Sequence, residues 1–197
     1  MTARRKVLLD GLRDVDPAVR ARAAEALDRL DLLEGLPQEL AGMAGFDTAR
    51  WVELLRSLAG LRDETYLKLA LRALGEAAEE VRIAALEAIA EIGDWRATAA
   101  VTQRLADPSP AVRVRAATTQ GSLGDRRGAP PLLPLLDDPE AEVRAHAAAA
   151  LGDLGHTPAE AGLLALATDP EAEVRAAALG ALGRIGLSSR AGGPPRD

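Results

Sequence analysis

The stretch from Asp138 to Gly155 reads DPEAEVRAHAAAALGDLG, and 31 residues later the stretch from Asp169 to Gly186 reads DPEAEVRAAALGALGRIG. The first eight residues of the two copies are identical. A valine–arginine pair marks each copy and recurs at the same interval at Val81-Arg82, Val112-Arg113, Val143-Arg144 and Val174-Arg175. An earlier pair, Val19-Arg20, lies 62 residues before Val81, which is twice the interval. A fixed period that persists across a copy lacking the pair predicts a helical repeat array.

The sequence of each repeat predicts two helices. Asp138 can cap free amides at a helix start, and Pro139 suits the first helical position because no amide hydrogen is needed there. Gly155 supplies the left-handed residue that ends the helix. The apolar residues between them have the spacing of one helical stripe: Val143, Ala147, Ala150, Leu151 and Leu154. A shorter apolar run separates successive stripes, so the predicted unit is helix A, a short turn and helix B.

The pattern D-P-x-x-x-V-R-x-x-A-A-x-A-L-G-x-x-G, followed by A-x-x-x-L-x-x-L-x-D, resembles the HEAT repeats, in particular the short variety of phycobilisome-lyase-like proteins. The resemblance is seen best from Asp138 to Asp169, and six copies account for nearly all of residues 3–186. It implies an all-α fold, a right-handed α-α superhelix (a solenoid) of about six helix pairs. One pair cannot bury its own apolar face, so neighbouring repeats must stack.

We expect a single solenoid over residues 1–187 and a disordered tail over residues 188–197. The predicted repeats are 3–31, 34–62, 63–93, 94–124, 125–155 and 156–186. Gly35 and Pro37 predict a break after the first helix B, near Leu33, and then a short helix A. Trp51 is interpreted as a core residue, with ligand stacking as the alternative. Pro134 removes a backbone hydrogen bond and is expected to bend the fifth helix A.

An acid precedes the arginine of each marker pair by six residues. The resemblance implies that these acids and arginines form a ladder between adjacent repeats. Six helical residues span about 9 Å and do not share a face, so pairing to a neighbouring repeat is expected over pairing within one. The ladder should break at repeat two, where Gly45 and Trp51 stand at these positions. An anion-binding strip is the alternative interpretation. The predicted structural ladder comprises Asp14, Arg20, Glu76, Arg82, Asp107, Arg113, Asp138, Arg144, Asp169 and Arg175.

Composition narrows the class of protein. Apolar residues make up 48% of the 197 residues and aromatic residues only 2%, which fits an alanine–leucine helical core. The net charge of −6 disfavours nonspecific binding to nucleic acid or to anionic membranes. Cysteine is absent, which excludes disulfides and cysteine nucleophiles. No apolar run has the length of a signal peptide core or a membrane span, so the expected location is the cytoplasm.

The sequence carries no catalytic or metal-binding motif. Its two histidines, His146 and His156, lie ten residues apart and neither is followed by glutamate. The iron-binding His-Glu pairs of deoxyhypusine hydroxylases, a HEAT-like enzyme family, are therefore missing. There is no phosphate-binding glycine loop and no pattern suggesting a Ser-His-Asp or Cys-His arrangement. We expect a protein that is not an enzyme, with no cofactor and no metal.

Without a catalytic or metal-binding motif, the remaining candidate for a functional site is the surface of the solenoid. The resemblance implies that helix B lines the concave face of the solenoid. In the register of Val143, its outward positions are mixed in charge, with valine and isoleucine among them, which suits a protein or peptide better than a phosphate backbone. A merely solvated helix face is the alternative. The predicted partner-binding residues are Arg22, Glu25, Arg29, Val52, Glu53, Arg56, Ile83, Glu87, Glu91, Arg115, Thr118, His146, Asp153 and Arg184.

The sequence is compatible with three functions. The first is a non-enzymatic scaffold that binds another protein or peptide along the concave face. The second, implied only by the resemblance, is an accessory lyase or chaperone for a tetrapyrrole chromophore or its carrier. The third is nucleic-acid binding, which would need a basic groove with aromatic residues. The sixth repeat has no strongly polar cap, so we expect a monomer or a weak end-to-end homodimer.

Overall fold

The computed structural model describes residues 3–41, 47–57 and 64–191. In these ranges every regular element is a helix, which confirms the all-α solenoid. The α-helices are α1 (Ala3–Gly11), α2 (Pro17–Ala41), α3 (Thr48–Ser57), α4 (Glu64–Ala73), α5 (Glu79–Ile92), α6 (Thr98–Arg104), α7 (Pro110–Leu123), α8 (Ala141–Asp153), α9 (Glu160–Leu166) and α10 (Ala172–Ala191). Short 3-10 helices lie at Trp95–Ala97, Arg126–Gly128, Pro130–Asp137 and Thr157–Ala159.

The helices B from α3 to α10 form one continuous layer. Helix α3 contacts α5, α5 contacts α7, α7 contacts α8, and α8 contacts α10. Each helix A packs against its own helix B, as α4 does on α5 and α9 on α10. The A elements of adjacent repeats make fewer close contacts with each other than the helices B do. The array is therefore tighter on the helix-B side, which makes that side the inner one.

The marker valine of repeats three to six lies at the centre of the core, whereas Val19 of repeat one is 42% exposed. Val81, Val112, Val143 and Val174 are at most 1% exposed. The core extends as one cluster from Trp51 to Ile185 and is built mainly of alanine and leucine. Trp51 is 2% exposed, so its ring is packed inside and is not available to stack on a ligand. Burial of these side chains supplies the favourable free energy of stacking, at about 25 cal/mol per Å² of apolar surface.

Helix B begins later than the sequence suggested in repeats five and six. Helix α8 begins at Ala141, and Asp138 and Pro139 lie in the turn before it. The Asp138 carboxylate accepts a hydrogen bond from the amide of Glu140 at 3.0 Å, which closes a turn before the helix starts. The expected helix end is observed, since Gly155 has a φ of 59°, in the left-handed region.

Three predicted features of the chain path differ in the structure. Helix α2 continues through Gly35 and Pro37 to Ala41, so the predicted break near Leu33 is wrong. A proline removes one intrahelical hydrogen bond, which a helix can lose without ending at that residue. The fifth helix A is not a bent α-helix but a 3-10 helix, with Pro134 inside it. Helix α10 continues to Ala191, into the expected tail, and residues 192–197 lie outside the described ranges.

Gly152 sets how closely two helices B approach. A Cβ on this glycine of α8 would lie 2.7 Å from the Cα of Ala181 in α10, so the neighbouring backbone would have to shift. We expect Gly152→Ala to destabilise the protein by about 2 kcal/mol, because overpacking forces that shift. The urea midpoint followed by circular dichroism measures the change.

Gly183→Ala is the matched control. No atom lies within 4 Å of the Cβ position of this glycine, which is one repeat further along in α10. The substitution should stabilise the helix by up to about 1 kcal/mol, because alanine is the better helix former. Equal destabilisation by both substitutions would contradict the close approach at Gly152.

Candidate functional site

Six of the ten predicted ladder residues meet between neighbouring repeats. In each contact an arginine donates from Nε and Nη2 to both carboxylate oxygens of an aspartate 25 residues later. The pairs are Arg82–Asp107 (2.9 and 2.9 Å), Arg113–Asp138 (2.8 and 2.9 Å) and Arg144–Asp169 (2.9 and 3.0 Å). Such two-point contacts fix orientation as well as distance. The acid six residues before each arginine is therefore not its ion-pair partner.

The same arginines also hold the turn of their own repeat. Arg144 donates from Nη1 to the carbonyl oxygens of Asp138 at 2.9 Å and Pro139 at 3.1 Å. We call this arrangement the carbonyl clamp. It recurs at Arg20, Arg82, Arg113 and Arg175. Each acid of the ladder thus contributes its main-chain oxygen to its own repeat, and for Glu76 the contact with Arg82 is through this oxygen.

The ladder residues of repeat one, Asp14 and Arg20, make different contacts from those of the internal pairs. The Asp14 carboxylate accepts the amide of Asp16 at 2.9 Å, and its carbonyl oxygen accepts from Arg20. The position 25 residues after Arg20 is Gly45, which lies outside the described residues. Trp51 stands at the arginine position of repeat two, and it is packed in the core. The sequence therefore places no arginine–aspartate pair on either side of repeat two.

The ladder is enclosed between repeats. The side chains of Arg82 and Asp107 are 9% and 1% exposed. Asp107 also accepts the amide of Ser109 at 3.1 Å, so its carboxylate is fully engaged. Because the guanidinium groups of Arg82, Arg113 and Arg144 already bind carboxylates, these residues fit a structural ladder and do not form a strip for external anions.

Arg82→Gln tests the buried pair. The substitution leaves the Asp107 carboxylate without its two-point donor in an enclosed position. We expect a loss of about 3 kcal/mol in the free energy of unfolding, because the enclosed carboxylate loses its two-point donor and keeps only the more distant Arg104, whose Nη1 lies 3.7 Å from Oδ2. Urea unfolding measures it. Arg96→Gln is the control: it removes the pair between Arg96 and Asp94, whose arginine is 54% exposed, and should leave the urea midpoint unchanged. An equal loss in both variants would contradict a ladder role for Arg82.

The ladder also predicts acid sensitivity. Hydrogen bonds from Arg144 hold the pKa of Asp169 below its usual 3.8, with burial acting in the opposite direction and the Glu171 amide adding to the lowering. Burial raises the pKa of Asp138, but hydrogen bonds from Arg113 and the Glu140 amide outweigh it, so the net shift is also downward.

A lowered folded-state pKa means that the unfolded chain binds more protons. The stability that the lowered pKa values of Asp138 and Asp169 contribute is present above about pH 4. It is lost as the pH falls through the pKa values of these groups in the folded protein. We expect the urea midpoint to fall from pH 5 to pH 2. Arg144→Gln should lower the midpoint at pH 7 and flatten this acid dependence, because the pKa of Asp169 returns toward its usual value. An unchanged acid slope in the variant would count against the Arg144–Asp169 pair.

The candidate partner-binding surface is the inner face of the helices B, which we call the helix-B face. Three contacts join predicted residues across adjacent helices. They are Glu87 with Arg115 (3.0 Å), Thr118 with His146 (2.9 Å) and Asp153 with Arg184 (3.0 Å). The first joins α5 to α7, the second α7 to α8 and the third α8 to α10. These six residues therefore lie side by side along repeats three to six.

The charged side chains of this face are accessible. Glu87 and Arg115 are 40% and 43% exposed, and Asp153 and Arg184 are 53% and 43% exposed. Each charge is already matched by a neighbour of opposite sign. Surface pairs of this kind contribute little to stability, so they can exchange partners at low cost. The geometry suits recognition of a surface with alternating charge.

The remaining predicted residues lie in repeats one to three. Val52 and Ile83 are half-buried and pack on the core, so they expose less apolar surface than expected. Arg22, Glu25, Glu53, Arg56 and Glu91 are exposed. The side chain of Arg29 lies outside the described part of the chain. Val52, Glu53 and Arg56 line an open cleft beside Glu80 of α5, which extends the helix-B face toward α3.

Sequence reasoning missed a second cleft, on the helix-A side. It is lined by Trp95, Asp125, Arg127 and Pro131, among others. The Arg127 guanidinium lies 4.7 Å from the centre of the Trp95 ring, and its hydrogen bonds to Asp125 lower the pKa of that carboxyl to about 2. The signal was present in the sequence, because D-x-R occurs at residues 94–96 and again 31 residues later at 125–127.

No group of three or more histidine, aspartate and glutamate side chains in the described ranges has the arrangement of a metal site. None of the helices in those ranges is both long and apolar enough to cross a bilayer.

Comparison with solved structures finds the same architecture. The complex of CpcE and CpcF of phycocyanin lyase from Nostoc sp. PCC7120 matches with a TM-score of 0.59 and 20% identity, over 95% of this chain and 66% of that one. Human deoxyhypusine hydroxylase in complex with glycerol matches with 0.55 and 25%, over 93% and 74%. A designed armadillo repeat protein in complex with the peptide (KR)4 matches with 0.58 and 19%, over 93% and 100%.

A protein-family model matches most of the repeat array. No curated protein matches the chain. The family model described as HEAT repeats matches residues 67–143 and 129–192, which together span repeats three to six and more than half of the sequence. These are the repeats in which the ladder and the valine core are complete. This chain belongs to the HEAT-repeat family.

Proposed function

We propose that the protein is a non-enzymatic scaffold that binds another protein or a peptide along the helix-B face. The observation that carries the proposal is the row of cross-helix contacts from Glu87–Arg115 to Asp153–Arg184. Side chains of four successive helices lie next to one another there and remain accessible. Repetition at a fixed spacing gives an extended partner several equivalent points of contact.

The ladder joins the repeats that carry this face and makes their arrangement rigid before a partner arrives. Arg113 and Arg144 fix the mutual orientation of repeats four, five and six. A surface that is already ordered loses little conformational entropy on binding. Rigidity of this kind favours a partner that lies across several repeats over a small ligand in a closed pocket.

The charge of the face favours a protein partner over nucleic acid. Among the described residues of repeats three to six, Arg115 and Arg184 each lie beside a carboxylate, so the cations of the face there are already paired. Binding to a phosphate backbone depends on such cations and on the counterions that they release. A net charge of −6 acts in the same direction. Small residues between the charged ones, such as Ala149 and Gly180, leave room for a peptide main chain.

The lyase-like and enzymatic alternatives have weaker support. The likeness to the phycocyanin lyase complex is at 20% identity and concerns the fold. Deoxyhypusine hydroxylase is similar at 25% identity, but the His-Glu pairs typical of that family do not occur in this sequence. A cytoplasmic location is part of the proposal and agrees with the complete absence of cysteine.

The decisive test exchanges the charges of one ion pair on the helix-B face and leaves that pair able to form. The double variant Glu87→Arg with Arg115→Glu exchanges the two members of a 3.0 Å pair, so net charge is unchanged and the pair can re-form. Affinity capture from the native host with both baits, followed by mass spectrometry, identifies partners. We expect a protein that wild type binds and this variant loses by at least tenfold.

The matched control makes the same exchange elsewhere. Glu64→Lys with Lys68→Glu swaps an exposed 2.9 Å pair on α4, a helix A. It should retain the partner at the wild-type level. A partner kept by both double variants would place the binding site off the helix-B face. Recovery of nucleic acid or a pigment in place of a protein would reject the scaffold assignment.

A further inference from the structure

The cleft on the helix-A side lies between repeats four and five and takes no part in the helix-B face. Its volume is about 400 Å³, which is within the range of clefts that hold ligands. Trp95 is 56% exposed even though the Arg127 guanidinium lies over its ring, so much of a large aromatic residue remains accessible. Side chains from both repeats line the cleft, among them Trp95, Thr98, Thr102, Asp125, Arg127 and Pro131.

Repeat four has polar residues behind this cleft where neighbouring repeats are aliphatic. The Gln120 side chain is 1% exposed and donates from Nε2 to the Thr102 hydroxyl at 3.0 Å. That hydroxyl donates in turn to the Thr98 carbonyl oxygen at 2.9 Å. An aliphatic residue would extend the apolar core at either position, so the polar pair indicates a role other than packing. The equivalent residues of repeats three, five and six are Leu71, Leu133 and Leu164 for Thr102, and Ile89, Leu151 and Leu182 for Gln120.

The Thr98 hydroxyl borders the cleft without a hydrogen-bond partner among the described residues. Thr98 is only 8% exposed. Hydrogen bonds from Arg127 lower the pKa of Asp125 most, burial opposes them, and the Thr98 hydroxyl adds to the lowering. The hydroxyl therefore faces the Asp125 carboxylate, although it does not reach hydrogen-bonding geometry. Buried polar groups are nearly always paired, so a buried, unpaired hydroxyl at the edge of a cleft indicates a ligand that binds there.

The unpaired groups at the rim of the cleft are mainly donors. Asp94 and Asp125 each accept from the amide and Nε of the arginine two residues later, which fixes the side chains of Arg96 and Arg127. In the described part of the chain, no hydrogen bond uses Nη1 of either arginine or Nε1 of Trp95. The side-chain acceptors of the cleft are already engaged by these arginines and by Gln120. An occupant must therefore supply acceptors and needs few donors.

The charges of the cleft are matched, which disfavours a strongly charged occupant. Arg96 pairs with Asp94 at 2.6 Å, and Arg127 pairs with Asp125 at 2.9 Å. An acidic segment would therefore meet two cations that are already neutralised. A basic side chain would bring further donors to a ring that Arg127 already covers in part.

We infer that this cleft binds a proline-rich segment of a partner protein in the polyproline II conformation. Proline has a carbonyl acceptor and no amide donor, and polyproline II leaves its carbonyl groups free of internal hydrogen bonds. The pyrrolidine rings pack on Trp95 and Pro131, and the carbonyl oxygens accept from the indole and arginine donors of the rim. Aromatic-lined grooves recognise proline-rich segments in this way. The site is separate from the helix-B face and goes beyond the scaffold function proposed above.

A decaproline peptide tests the inference on the full chain. The protein has two tryptophans, the exposed Trp95 and the buried Trp51, so a nitrogen–proton NMR spectrum contains two indole signals. The spectrum of Trp95→Phe assigns them. We expect the Trp95 signal to shift in a saturable way with up to about 1 mM peptide, and the Trp51 signal to stay. A glycine–serine peptide of the same length, which carries amide donors and no rings, should shift neither.

Two variants separate binding from stability. Trp95→Ala removes the ring and the indole donor, and should weaken the affinity for labelled decaproline at least roughly tenfold in fluorescence anisotropy. Thr98→Val keeps the shape of the side chain and removes the unpaired hydroxyl. It should weaken binding several-fold while the urea midpoint stays equal to that of the wild type or rises, because a buried unpaired polar group is lost. A lower midpoint with unchanged affinity would give Thr98 a purely structural role and contradict the site.

The exchange of Glu87→Arg with Arg115→Glu is the matched control on the helix-B face. It should bind decaproline as the wild type does, since those residues lie on the other side of the array. A loss of decaproline binding in this control would contradict a separate site. Absence of saturable binding by the wild type, or an affinity that Trp95→Ala leaves unchanged, would overturn the inference. Tighter binding of an oligoglutamate or oligoarginine peptide of the same length would overturn it as well.

Discussion

One side chain holds each complete repeat to the next. Arg113 donates from Nη1 to two carbonyl oxygens of its own turn, and from Nε and Nη2 to the carboxylate of Asp138. A planar guanidinium offers these donors in a fixed geometry, so satisfying all of them leaves one relative position of the two repeats. Desolvation offsets much of the attraction in such enclosed pairs. The ladder therefore specifies how repeats stack, and burial of the valine, alanine and leucine core supplies most of the free energy that stacks them.

Small residues determine where the array is tightest. Gly121 and Gly152 occupy equivalent positions in α7 and α8, and each lies against an alanine of the following helix B. Close approach on this side, with wider separation of the A elements, brings side chains of successive helices within hydrogen-bonding distance. The contacts Glu87–Arg115 and Asp153–Arg184 are consequences of that spacing. Core packing and the accessible face are thus two results of the same 31-residue repeat.

A solenoid built this way differs from a globular domain in how function can arise. Each repeat contacts mainly its neighbours, so stability is local and the surface is extended. The helix-B face offers repeated, charge-matched positions along repeats three to six. Repeats three to six carry the complete ladder, and they are also the part that matches the HEAT family. Repeat two lacks both ladder residues, so the regular arginine–aspartate pairing is limited to repeats three to six.

The sequence by itself determined the period, the two-helix unit, the buried valine stripe and the glycine helix ends. These follow from spacing along one chain segment, where helical geometry alone decides which residues share a face. It also indicated that the ladder runs between repeats, because six residues do not share a helix face. The candidate partner-binding residues came from the same register, and their binding role stays a prediction.

Only the tertiary structure decided which carboxylate each arginine binds and that Nη1 clamps main-chain carbonyls. It also decided that Asp138 closes a turn before α8, that the proline-containing fifth helix A is a 3-10 helix, and that α2 continues past Pro37. The sequence near each residue does not decide these features. The ladder partners, for example, lie 25 residues apart, and each could also pair with a residue nearer in the sequence. Stacking brings the partners together, and the contacts made across the stack select one arrangement.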